Sequence, residues 1–259
     1  MTKTLGKIRI IARFTLLEAW RTRLPWVALA TAGLLLLASL FVQHIAVTET
    51  ARMQLGFLSA TLRLTTLFLL TLHVTASIVR EFNDKGVDLL LALDLPRAGY
   101  YLGRFAGFAI IAVLLAASAA AALLLVIRSP AVAAWAVSLA LEGILIAALA
   151  LFCVVSFAHI MPAVSFVVAF YLLARGLTAI RLLAQSPLLS PNEWTTRAIG
   201  GLVDALSWVL PDLSRFTLTS WLVGAPPSAE ALGFLAIQTL IYGALLVCAG
   251  LYDLYRKSL

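Results

Sequence analysis

The sequence predicts an all-α integral membrane protein with six transmembrane helices, and three observations carry the prediction. Hydrophobic residues make up 63% of the chain and charged residues 12%, whereas a soluble domain has about a quarter of its residues charged and under half apolar. The apolar residues gather into six runs, each near the roughly 20 residues a helix needs to cross the hydrocarbon core. Lysines and arginines collect between the runs, where they set the orientation of a membrane protein. The formal net charge of +7 is therefore assigned to loops and not to a nucleic-acid surface. Cys153 and Cys248 both fall inside apolar runs, where they act as small hydrophobes and imply no disulfide framework. His44, His73 and His159 are scattered, never at metal-ligand spacing.

Taken in order, residues 1–24 carry Lys3, Lys7, Arg9, Arg13, Arg21 and Arg23 against one acid, Glu18. These charges do not gather on one arc of a helical wheel. The segment reads as a juxtamembrane, interfacial helix whose long basic side chains reach lipid headgroups. Pro25 and Trp26 open the first span, 25–47, which is longer than the roughly 7–15 residues of a signal-peptide core. After a short polar interval with Glu49 and Arg52, the second span covers 57–79, with Arg63 near one end. The third, 105–127, contains the small-residue run Ala116–Ala122, and Gly103 and Gly107 at its start have the G-x-x-x-G spacing that permits close helix approach. Arg128, Ser129 and Pro130 form a turn into the fourth span, 131–158. A second turn at 159–162 leads to the fifth, 160–183.

The longest polar interval, 184–230, holds five of the nine prolines. Within it, 194–210 places Ala198, Leu202, Leu206 and Val209 at helical spacing, predicting short helices between spans five and six. The sixth span, 231–251, is followed by a tail with Arg256 and Lys257. Six spans put both termini on one side. The N-terminal segment, the 80–104 interval and the tail together hold twelve of the nineteen basic residues, so the positive-inside rule places these three in the cytoplasm and 184–230 outside.

The interval 80–104, REFNDKGVDLLLALDLPRAGYYLGR, carries Arg80, Lys85, Arg97 and Arg104. It encloses a short amphipathic segment, 87–95, that Pro96 must end because proline lacks the N–H to continue a helix. A short helix held at the cytoplasmic surface is suited to docking a soluble partner. Nowhere does the chain contain a phosphate-cradling GxxxxGK[ST], an HExxH or a GxSxG, so no enzyme activity is expected of it. Two charges lie deep within spans, Glu142 in the fourth and Arg175 at similar depth in the fifth. Burying each costs about 2.5–3.5 kcal/mol, so each needs a partner or water. They pair with each other or line a wet cavity as part of a translocation path; outward snorkelling of Arg175 and protonation of Glu142 are the simpler alternatives. His73, with Thr71 and Thr75, is expected to hydrogen-bond between helices.

With its basic N-terminal segment, six spans and the 80–104 interval, the chain resembles the permease subunits of type-2 ABC transporters. The residues that carry the likeness are Glu81, Gly86, Leu90, Leu91, Leu93, Pro96, Arg97, Tyr100, Tyr101, Gly103 and Arg104, and the chain looks closest to single-domain bacterial permeases such as those of nitrous-oxide reductase maturation systems. Residues 210–216, LPDLSRF, resemble their element before the last span. The resemblance implies that Arg80, Glu81 and the 87–95 helix, with Pro96, Arg97, Tyr100 and Tyr101, contact a separate cytoplasmic ATPase subunit. ATP and magnesium would be bound by that subunit, this chain holding no cofactor. It further implies a second permease chain, a homodimer, in the bacterial inner membrane. The expected function is export driven by the ATPase. The alternative is a mechanical coupler that passes ATPase movement to an outer protein without moving cargo. The short 48–56 interval departs from relatives that carry a large outer domain there.

Overall fold

Apolar stretches that cannot expose backbone polar groups to lipid satisfy them within helices, and the chain is built accordingly. The computed structural model describes residues 2–45, 50–84, 96–184, 201, 205, 210–224 and 226–256, and none of these is in a strand. In chain order the helices are α1 (Thr2–Arg21), α2 (Leu24–Ile45), α3 (Thr50–Asn83), α4 (Arg97–Val126), α5 (Ala131–Phe157), α6 (Ile160–Ala184), the four-residue α7 (Ser220–Val223) and α8 (Ala229–Arg256), with a 3-10 turn at Leu213–Arg215 before α7. Six of them, α2 to α6 and α8, are long and apolar enough to cross a membrane.

The bundle is arranged around α5, which packs against α3, α4, α6 and α8. Its sequence explains the position. Glu142 is its only charged residue, and the rest is apolar on every side with small residues at Ala147, Ala148 and Ala150. A helix without a polar face belongs at the centre. It ends at Ala158, whose φ of 57° is left-handed. There its N–H donates to Val154 O at 2.9 Å, and α6 starts two residues later, so α5 and α6 form an antiparallel hairpin.

Helix α1 lies alongside the first half of α4, and two glycines make this possible. A Cβ on Gly103 would sit 2.7 Å from the Ile11 Cβ, and one on Gly107 would sit 2.6 Å from the Thr15 Cβ. The G-x-x-x-G spacing is thus used in full, with each glycine giving room to a residue one turn further along α1. A third close approach joins α4 to α8, where the ring of Tyr101 fills the space above Gly250 and its hydroxyl would stand 2.0 Å from an added Cβ.

Several helices run past the apolar stretches that announced them. The second span, expected at 57–79, is the middle of a 34-residue helix beginning at Thr50 and ending at Asn83. The 80–104 interval is helical at both described ends, with α4 starting at Arg97 and not at 105. The last helix continues to Arg256, beyond the expected 251. The reason is common to all three: polar residues at these ends find partners on neighbouring helices, so the helix need not stop where hydropathy falls. The 87–95 segment, and all of 194–210 except Gly201, Ala205 and Leu210, lie outside the described residues.

His73 also differs from expectation. Thr71 and Thr75 donate to Leu67 O and Thr71 O of their own helix, both at 2.8 Å, because in an apolar setting the carbonyl one turn back is the nearest acceptor. His73 instead meets Phe108 edge-on, with ring centroids 6.1 Å apart.

Replacing Gly107 with valine should push α1 off α4. Overpacking of this kind costs about 1–3 kcal/mol. A lower melting temperature in detergent, with an unchanged helical signal, is the expected result, and Gly6→Val, at a position with nothing within 4 Å of an added Cβ, should have little effect.

Candidate functional site

Two charged clusters are held by helices that are otherwise apolar. The first surrounds Arg104 on α4. Its side chain is 9% exposed, and an arginine cannot shed its proton to escape burial, so it requires anionic partners. Two helices supply them. Arg104 Nη1 donates to Glu18 Oε2 of α1 at 2.8 Å and to Thr15 Oγ1 at 3.2 Å, while Nη2 is paired with Glu81 Oε2 of α3. Tyr100, one turn before Arg104, donates its hydroxyl to the same Glu81 oxygen at 2.8 Å. Ser77 of α3 donates to Glu18 Oε1 at 2.7 Å. One buried cation therefore ties together three helices, two of which flank the 84–96 segment.

Other residues of the 80–104 interval complete this end. Arg80 is half exposed, donates through Nε to Ala76 O at 3.1 Å and lies 3.9 Å from Glu18. Pro96 caps α4 in an extended conformation. Arg97 reaches across to the end of α8, where Nη1 donates to Leu254 O at 3.2 Å and Tyr255 O at 3.3 Å. These are carbonyls of the last turn of α8, where a cation is favoured by the helix dipole. Tyr101 is fully buried against Gly250. Gly86, Leu90, Leu91 and Leu93 lie outside the described residues.

Burial pushes the Glu18 carboxyl up, but hydrogen bonds from Arg104 and Ser77 and the charge of Arg104 outweigh it, so that Glu18 is held below its ordinary value. Glu18 accordingly remains a carboxylate at neutral pH, as the pairing with Arg104 demands.

The second cluster is centred on Glu142 of α5, which is wholly buried. Arg175 of α6 places Nη1 3.3 Å from Glu142 Oε1. The antiparallel α5–α6 hairpin puts the two at similar depth. Their remaining bonds go to residues 210–223, a strap that folds back onto the bundle before α8. Arg175 donates to Leu213 O at 2.8 Å and Phe216 O at 3.2 Å. Thr217 donates its hydroxyl to Glu142 Oε2 at 2.9 Å and its N–H to Ser138 Oγ at 3.0 Å. Arg63 of α3 stands 3.5 Å from both oxygens of Thr217.

Thr217 has φ of 47°, a left-handed conformation that a β-branched residue adopts only under constraint. Bonds to α5 on two sides hold it there. Leu213 and Phe216 anchor the strap in the apolar core, both fully buried. Asp212 shapes the turn by accepting from Ser214 N at 3.2 Å and from Arg215 Nε at 2.9 Å.

Along α3 the two clusters are 18 residues apart, from Arg63 to Glu81, or about 27 Å of helix, so they occupy opposite ends of the bundle. Chemically both are fastenings: each carboxylate is engaged by a cation and by hydroxyls. The residues that sequence reasoning did not single out are Thr15, Glu18, Ser77, Ser138 and Thr217. The sequence signal for Glu18 was its isolation, a lone acid among six basic residues. Ser138, one turn before Glu142, and Thr217, just after the LPDLSRF element, had none of comparable strength. Among the described residues no three His, Cys, Asp or Glu side chains gather to hold a metal ion. The chain matches no family model and no curated protein.

Two predictions follow from this geometry. Removing Glu142 or Arg175 alone leaves a buried group without its counter-charge, at a cost of about 3 kcal/mol. The double replacement Glu142→Leu with Arg175→Met should cost less than the two single losses together. A double-mutant cycle on thermal stability in detergent should show a coupling of about 1–3 kcal/mol, where strict additivity would mean the pair does not act as a unit. Glu18 gives a pH dependence of definite sign. Its carboxyl titrates lower in the folded protein than in the unfolded chain, so its contribution is present above the ordinary glutamate value of about 4.3 and lost as pH falls through the depressed value. Melting temperature should therefore fall on acidification below about pH 4.5, and Glu18→Gln should flatten that part of the profile.

Proposed function

We propose that this chain is the membrane-spanning permease subunit of a type-2 ABC transporter, an exporter in which a separate ATPase subunit docks on the 80–104 segment. The observation that carries the reading is the Arg104 cluster. The two helices that flank the segment are joined by Arg104 and Glu81, the same cation holds α1 through Glu18, and Arg97 holds the end of α8. A push on 84–96 is thus received by four helices together. A segment that only linked two spans would have no need of so many buried bonds at its base. In this reading ATP and magnesium belong to the partner, both termini and the Arg104 cluster face the cytoplasm of a bacterial inner membrane, and two copies of the chain form a homodimer.

A second reading is favoured by one observation. The Glu142–Arg175 pair is engaged by the strap's own carbonyls and hydroxyl, so in this conformation both charges are committed to the strap. That arrangement suits a mechanical coupler, which moves the strap to act on an outer protein and passes no cargo.

Both readings need the ATPase. The chain purified in mild detergent from its native membranes should carry Mg-ATP hydrolysis with it. Leu90→Asp and Glu81→Lys should each reduce that activity severalfold while the protein still inserts. Absence of hydrolysis from the wild-type preparation, or full activity in both variants, contradicts the proposal. Cargo movement in sealed vesicles then separates transport from coupling.

A further inference from the structure

A groove of about 370 Å3 runs along α1 beside the Arg104 cluster, lined by Phe14, Leu17, Glu18 and Arg21 of α1 together with Glu81 of α3 and Arg104 of α4. Its height follows from the register of the helices. α1 runs in the same direction as α4, with Ile11 at Gly103 and Thr15 at Gly107, which carries Arg21 to the level of Val113. That is about 13 Å along α4 from Arg104. α4 bears no charge between Arg104 and Arg128, and near that level it turns Ile110, Val113 and Leu114 outward. The groove therefore climbs from the charged end of the bundle into its apolar part, with a cation at the upper end. An arginine at such a height is costly unless an anion or water meets it.

Two charged groups in the lining have unused capacity. Glu81 accepts from Tyr100 and pairs with Arg104 through Oε2, which leaves Oε1 without a partner among the described residues. Arg21 is exposed and makes no hydrogen bond or ion pair among the described residues. Arg104 is spent on Glu18, Thr15 and Glu81 and cannot serve either of them. Beside these charges stand the apolar side chains of Phe14 and Leu17, both more than half exposed. A ligand that answers all three features has an N–H cation outermost, an anion next and an apolar tail behind, which is the order of ammonium, phosphate and acyl chains in phosphatidylethanolamine.

We infer that this flank of α1 binds the headgroup of phosphatidylethanolamine, its ammonium donating to Glu81 Oε1 and its phosphate resting on Arg21. Phosphatidylglycerol lacks the cation and would bring only an anion to Glu18 and Glu81. Phosphatidylcholine has the charge but no N–H to donate. A soluble partner is the less fitting occupant, because Arg21 stands well up the apolar run of α4. The inference goes beyond the proposed transport role and rests only on residence in a membrane.

The test is native mass spectrometry of the full chain in detergent, offered equal amounts of phosphatidylethanolamine, phosphatidylcholine and phosphatidylglycerol with the same acyl chains. The wild type should retain phosphatidylethanolamine over the other two by a factor on the order of tenfold, the worth of one hydrogen bond to a charged group. Arg21→Gln removes the phosphate contact and should cut that retention severalfold, while Arg21→Lys should keep most of it. Arg9→Gln, at an exposed arginine of α1 outside the groove, should change nothing. Equal retention of phosphatidylethanolamine and phosphatidylcholine by the wild type overturns the inference, as does a preference for phosphatidylglycerol, which marks a general attraction to anionic lipid. Retention that survives Arg21→Gln, or that falls equally in Arg9→Gln, overturns it too. Loss of co-purifying ATP hydrolysis in Arg21→Gln with lipid retention intact assigns the groove to a soluble partner and likewise overturns it.

Discussion

The burial of Arg104 is the constraint on which the organisation of this bundle depends. A guanidinium taken out of water costs several kcal/mol unless its charge and its N–H groups are met. A carboxylate from each of two other helices, with the Thr15 hydroxyl beside them, meets them here. Satisfying this one side chain fixes where α1 lies, how far α3 extends and where α4 begins. The glycines follow from the same demand. Glu18 can reach Arg104 only if α1 comes close to α4, and Gly103 and Gly107 clear the space. The interaction is specific because it is expensive to satisfy in any other arrangement.

The Glu142 end obeys the same logic with different parts. There the buried acid is on the central helix, an arginine of α6 and a threonine hydroxyl of the strap are drawn to it, and two main-chain carbonyls of the strap accept from the same arginine. The unfavourable backbone of Thr217 is held by bonds to α5. Between the two ends, α5 is packed too tightly on all sides to bend independently. A bundle fastened at both ends and stiff through the middle is suited to passing movement from one face to the other, which is the property that both proposed modes of action require.

Much of this was legible in the sequence, and for particular reasons. Six apolar runs and the turn at Ala158 follow from the lipid requirement that each span satisfy its own backbone. Glu142 and Arg175 could be named as partners because charges are rare at that depth and the short turn forces their helices together. Helix ends were less legible, because hydropathy marks where a helix can face lipid and not where it stops. Asn83 and Arg97 lie beyond the apolar limits since Glu81 is satisfied by Tyr100 and Arg104 of α4, Arg104 also by Glu18 of α1, and Arg97 by the end of α8, all far away in sequence. Thr217 was beyond reach for a similar reason. Its role is created by a fold-back that places residues 75 and 79 positions apart in contact, and no local pattern records such a contact.

The proposed orientation puts the Arg104 cluster and the Glu142 strap on opposite sides of the membrane, with the Arg104 end in the cytoplasm. Single cysteines at Ser190 and Ser258, in a background lacking Cys153 and Cys248, can be probed with a membrane-impermeant thiol reagent. In that orientation Ser190→Cys labels in intact cells and Ser258→Cys labels only after permeabilisation. Labelling of both from outside, or of Ser258→Cys alone, would contradict it.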